Sequence, residues 1–328
     1  MGFAQRKTLI SKIEEKRKSK VITLITSDRY ATLPFIQGVH AQIAADQVSK
    51  ITDHLKAIEA DGGSNNIDLF VYSRGGDTNS AWPLVNSIRN YCKNFRVLVP
   101  VHAHSAATLI SLGADKIVMS KTASLSPIDP TVANAFNPRD NNQYLGISVE
   151  DVASYFALAR IEIKSENNLT EVFKILAEKV HPLALGNVKR SHSQIRLLAR
   201  KLLMLHIAET ASKRIDGIVD ELTERFYTHN HSIFREEAKK IGLDGIVADA
   251  TDEEEGLFWD LYRSYEEDMK LKEFFDPNVF LGSDAERTLD TSTVMIESKY
   301  FFKVHDKTKI NQGINSRPGL QIASHPSK

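Results

Sequence analysis

The chain has 328 residues, with 42 Lys plus Arg against 42 Asp plus Glu, 42% hydrophobic residues and one cysteine. Zero formal net charge and a pI near 7.2 supply no global attraction for a polyanion, so no nucleic-acid partner is expected. One cysteine excludes an intrachain disulfide, a cysteine zinc cluster and a CxxC redox pair, and the length suits one large domain or two of ordinary size; a cytoplasmic globular protein fits these bounds.

The basic N-terminus lacks the apolar stretch and cleavage site of a secretory signal. No run of about 18 apolar residues suited to crossing a membrane follows it, so no integral membrane segment is expected. Thr8 to Arg17 predicts a helix whose Leu9, Ile10 and Ile13 form a docking stripe, an arm for a neighbouring subunit. From Lys20 the pattern changes to short apolar runs, Val21 to Ile25, Leu69 to Tyr72, Val97 to Val101 and Lys116 to Met119. Helix-like stretches lie between them, Ala41 to Ile58 and Asn79 to Tyr91. Continuously apolar strands alternating with amphipathic helices predict an α/β fold, a parallel sheet covered on both faces.

After Leu145 the chain reads as long helices, Val149 to Lys164, Leu169 to Lys179 and Ser193 to Ala211. Asp216-Gly217 then breaks the run before a short helix from Ile218 to Phe226. Glu236 to Leu243 reads as a helix ending at Gly242, with Ile246-Val247 as a small strand or turn. Val294 to Ile296 and Tyr300 to Val304 are possible strands, and Gly, Ser and Pro after Asn311 suggest a loose tail. The expected organisation is an arm over 1–18, an α/β core over 19–145, a helical segment over 146–250 completing the same domain, an extension over 251–310 and a flexible tail over 311–328.

Two turns carry candidate chemistry. Ser73-Arg74-Gly75-Gly76-Asp77 joins a strand to a helix, and its glycines let backbone N–H groups face a cavity with no Cβ in the way. A tight strand-to-helix turn accounts for the same residues. GxGxxG and a P-loop are both absent, so no nucleotide cofactor is expected. His102-Ala103-His104-Ser105-Ala106-Ala107-Thr108 places Ser105 at a helix N-terminus, where free N–H groups favour negative charge. A plain N-cap serine is the bland alternative, and the GxSxG elbow is missing.

Together these elements resemble the serine dehydrogenase proteinase family, related to the Clp protease and crotonase superfamily and to signal peptide peptidase A. The resemblance rests on Val21-Ile22-Thr23 with Thr26-Ser27-Asp28-Arg29, on Ser73-Arg74-Gly75-Gly76, on Ser105 through Met119, and on Leu125-Ser126-Pro127-Ile128-Asp129-Pro130. It continues in Pro182-Leu183-Ala184-Leu185-Gly186 with Arg190-Ser191, and in His229, Glu237-Ala238 and Gly242-Leu243. It implies a Clp protease/crotonase-like α/β fold with a helical C-terminal extension and a serine peptidase acting on proteins or peptides. It further implies Ser105 as nucleophile, the Gly75 and Ala106 N–H groups as oxyanion hole, and a homo-oligomer.

The base is not supplied by the resemblance. The segment Leu125 to Pro130 lacks the histidine of Clp proteases, and no lysine lies between Lys121 and Lys164 for a signal-peptidase dyad. His102, His104, His192 and His229 are candidates; His181 and Lys189 rank first because they flank Pro182 to Gly186, and Asp129 is the expected polar lining group. Each of these could be an ordinary surface or capping group. Loss of the base would leave a noncatalytic scaffold or peptide-binding module, and the same N–H pair could serve acyl-CoA thioester chemistry. Paired histidines at His102/His104 and His229/His231 lack an HExxH or a third carboxylate, so no metal is expected.

Overall fold

The computed structural model describes residues 2–27, 41–128, 131–132, 135–140, 143–163, 169–225, 231–273, 279, 282, 286–311 and 321–324. In chain order the elements are α1 (Phe3–Arg17), β1 (Lys20–Thr26), α2 (Asp46–Ala60), β2 (Asn66–Tyr72), α3 (Ala81–Arg89), β3 (Asn94–Val99), β4 (His102–Ala103), α4 (Ala106–Leu112), β5 (Lys116–Met119) and β6 (Ser124–Leu125). Four two-residue strands follow, β7 (Thr131–Val132), β8 (Arg139–Asp140), β9 (Gln143–Tyr144) and β10 (Ile147–Ser148). The helices α5 (Val149–Ile163), α6 (Leu169–Lys179), α7 (Pro182–Leu203) and α8 (Ser212–Asp220) come next. The chain closes with β11 (Ile233–Phe234), α9 (Arg235–Ala238), β12 (Val247–Asp249), α10 (Asp252–Asp268), β13 (Glu286–Glu297), β14 (Phe302–Asn311) and β15 (Gln321–Ser324).

Two compact units result, Met1–Leu125 with Ile233–Lys328, and Ser126–Ser232. The first holds an eight-stranded sheet in the order β12-β5-β3-β2-β1-β13-β14-β15. The five strands from β12 to β1 are parallel, and β13 to β15 continue the sheet in antiparallel fashion. Alternation of side chains splits its residues between two layers. Val21 and Ile25 of β1, Phe70 of β2 and Leu98 of β3 pack with Ile10 and Ile13 of α1 and with Phe258, Leu261 and Tyr265 of α10. Ile22, Leu24, Leu69 and Val71 have the opposite parity and are also fully buried. The apolar stripe of α1 is therefore used within its own chain, correcting the expectation of an arm on a neighbour. Arg6 of α1 locks it there through Glu297 at 2.8 Å.

The extension over 251–310 belongs to the first unit: its α10 covers the sheet and its β13 pairs with β1. Within the expected tail, Gln321–Ser324 pairs with β14.

In the second unit, α7 begins eleven residues before the expected Ser193, because His181 caps it and Pro182 suits the first helical turn. Asp216-Gly217 does not break α8, which passes through both residues and runs into a π turn over Glu221–Arg225. Val188, Ile195 and Leu202 of α7 are buried, as are Ile215 and Ile218 of α8. Among the described residues, no helix is long and apolar enough to cross a membrane.

Candidate active site

Ser105 stands between β4 and α4 with φ +51° and ψ −115°, a left-handed backbone that non-glycine residues rarely adopt. The surroundings hold it there. The Thr108 hydroxyl donates to Ala103 O at 2.8 Å, Ala107 N–H donates to His104 O at 2.9 Å, and Leu109 N–H donates to Ser105 O at 3.0 Å. Every residue of α4 is buried, whereas Ser105 itself is only half-buried. Ala106 N–H opens the helix and has no acceptor within it.

The Gly75 loop lies directly against this turn. A Cβ on Gly75 would fall 2.6 Å from Ser105 Cβ and 2.9 Å from His104 O, and one on Gly76 would fall 2.3 Å from Ile43 O. Both positions have positive φ, so glycine is needed for conformation and for space. Ile43 N–H donates to Gly75 O at 2.9 Å and Asp77 N–H donates to Ile43 O at 2.8 Å, tying the loop to the segment before α2. On the other side, Ser73 N–H donates to His102 O at 3.2 Å and His104 N–H donates to Ser73 O at 2.9 Å. One residue, Ser73, thus joins the end of β2 to the strand that delivers the serine. Its hydroxyl oxygen accepts the Gly75 N–H at 3.0 Å and the Thr26 hydroxyl at 2.8 Å.

Gly75, Ser105 and Ala106 are brought together in the first unit; His181 and Lys189 belong to the second. His181 Nδ1 accepts the Leu183 N–H at 3.1 Å as the cap of α7, and its ring stacks on Phe136. Lys189 is exposed on α7. His192 lies 3.5 Å from Glu224, and burial pushes its imidazole below the ordinary value. Asp129 and His229 lie outside the described residues. In the first unit, the His102 and His104 rings lie 4.9 Å apart on one side of the chain, as alternation predicts. His104 Nε2 and Ser124 Oγ share a hydrogen bond of 2.9 Å, and His102 packs on Tyr72. No group of three or more metal-capable side chains converges among the described residues.

Sequence reasoning assigned no role to Thr26, Ser73 or Ser124. A signal for the first two was present: each is a hydroxyl residue at the carboxyl end of an apolar strand. Two such ends become neighbours when the strands pair in parallel.

A parallel sheet whose strand ends present a glycine loop against a strained serine at a helix start is the arrangement of a ClpP-like α/β fold. The chain belongs to the family of ClpP-like SDH-type serine proteinases, whose family model matches residues 2–182. That family is one of serine peptidases. The chain is 30% identical over 239 residues to an uncharacterized protein of Methanocaldococcus jannaschii, covering 73% of this chain and 72% of the relative. A second uncharacterized protein of that organism is 23% identical over 241 residues, 73% of this chain and 71% of the relative. Among solved structures, a serine-to-alanine mutant of the 1510-N membrane-bound stomatin-specific protease aligns at TM-score 0.39 and 19% identity, covering 65% of this chain and 77% of that one.

Proposed function

We propose that the protein cleaves peptide bonds with Ser105 as the nucleophile. The observation that carries this reading is the left-handed backbone of Ser105 at the start of α4, pressed against a glycine that nothing larger could replace. Ser105 Oγ attacks the scissile carbonyl, and the Ala106 and Gly75 N–H groups hold the oxyanion, each donor worth about 3 kcal/mol in the transition state. A base takes the serine proton and returns it to the leaving amine. His181 and Lys189 stay the first candidates for that base, with Asp129 as lining group and His104 the candidate within the unit that carries Ser105. The substrate is a protein or peptide, the working form is a homo-oligomer, and the site of action is the cytoplasm.

A fluorophosphonate probe and a peptide-turnover assay test the reading together. Labelling at Ser105 is expected in the wild type, with turnover lost by a factor on the order of 10³ or more in Ser105→Ala. An unlabelled Ser105 with unchanged turnover in the variant rejects the nucleophile. An unlabelled Ser105 in a protein that turns over no peptide favours a scaffold that has kept the serine but lacks a base.

A further inference from the structure

Thr26 and Ser73 leave neighbouring parallel strands, which are in register at Ile25 and Tyr72. Their hydroxyls meet beneath the glycine loop at 2.8 Å, and the Ser73 oxygen also accepts the Gly75 N–H at 3.0 Å. Thr26 is 1% exposed and Ser73 0%, so bulk water does not compete for this oxygen. The amide has one proton to give. Within a trans peptide the carbonyl points opposite to the N–H, so the Arg74 carbonyl faces away from Ser73. An oxyanion on Ser105 can therefore receive the Gly75 proton only if the N–H leaves Ser73 or is shared with it.

We propose that Ser73, backed by Thr26, is a positioning residue that latches the Gly75 N–H in the resting site and releases it as the oxyanion forms; this rests on the peptidase reading above. The bond to a hydroxyl keeps a buried donor from being orphaned before substrate arrives. A charge-assisted bond to an oxyanion is roughly twice as strong as that neutral one, so the exchange becomes favourable only as charge develops. Gly75, at φ +109°, allows its preceding peptide to turn. Its own carbonyl stays anchored by Ile43 N–H, which confines the movement to the peptide between residues 74 and 75.

The test compares Ser73→Ala, Ser73→Thr and Thr26→Val with wild type in the full chain. Two quantities are read, hydrogen exchange at the Gly75 amide and the rate of fluorophosphonate labelling at Ser105. In Ser73→Ala, Gly75 exchange accelerates and labelling becomes about two- to ten-fold faster, the worth of one neutral hydrogen bond. KM for a peptide changes little. Ser73→Thr keeps the hydroxyl and restores both quantities to wild-type values, and Thr26→Val shifts both in the direction of Ser73→Ala by less. Labelled wild type with no faster labelling in either Ser73→Ala or Thr26→Val overturns the latch alone. No labelling of Ser105 in wild type or any variant overturns the peptidase reading, and the latch with it.

Discussion

Between the unit of residues 1–125 with 233–328 and the unit of residues 126–232, the difference lies in what each can bury. The first hides charges as well as apolar groups. Asp68, in the middle of β2, is 0% exposed and accepts Arg17 and Arg96 at 2.5 Å each and the Ser19 hydroxyl at 2.9 Å. Glu297 is equally buried, held by Arg6 and the Tyr265 hydroxyl. Among the described residues of the second unit, ion pairs such as Arg200 with Asp216 and Arg196 with Asp220 are partly exposed to solvent. This unit also leaves Leu158 58% and Ile161 67% exposed on α5. Holding a serine in a strained backbone requires over-determined surroundings. The first unit supplies them, and the leading base candidates His181 and Lys189 stand on the unit that is less deeply packed.

Asp68→Ala gives the largest expected effect on this contrast. It leaves two arginines facing a hole where their shared carboxylate was, and a loss of about 3–5 kcal/mol in denaturant unfolding is expected. A loss below about 1 kcal/mol would show that the buried network is not what separates the units. Glu254 gives an intermediate effect. Burial pushes its carboxyl up, but the Thr251 N–H and the Arg17 charge outweigh that and hold it below the ordinary value. A depressed carboxyl stabilises the fold above its unfolded pKa and loses that contribution as pH falls through the folded one. Glu254→Gln should therefore cost about 1 kcal/mol at neutral pH, with the gap to wild type closing as pH drops below about 4. A gap that widens in acid would reverse the sign assigned here. The smallest effect belongs to the second unit. Asp216→Ala removes an exposed partner of Arg200 and should change stability by less than about 1 kcal/mol, checked by the same unfolding curves.

The parallel strands, the serine turn and the glycine loop were legible because each is a local pattern, a short apolar run ending in residues with special backbone needs. What was hidden depends on partners distant in sequence. The expected second strand started at Leu69, whereas β2 starts at Asn66 and takes in Asp68. Its arginine partners lie 51 and 28 residues away, and only their pairing makes an acidic residue at home in the middle of β2. Helix α7 starts at Pro182, eleven residues before the expected Ser193, with His181 capping its first turn. Residues 286–311 showed two short apolar runs, while strands β13 and β14 extend well beyond them through backbone pairing. The latch on Gly75 combines both difficulties. Ser73 is adjacent to the loop, but the hydroxyl that backs it comes from Thr26, on another strand.

The pairing of β1 with β13 also bears on the order in which the chain can fold. Strand β1 is synthesised long before one of its two sheet neighbours, which arrives only with Val294–Glu297. Arg6 waits equally long for Glu297, 291 residues away. Closing a loop of that length precedes any gain from the contacts it makes, which places this pairing among the slow steps of folding. Until it happens, β1 has an open edge able to pair with another chain. A nascent chain can thus have Ser105 and the glycine loop in place well before the fold that carries them is complete.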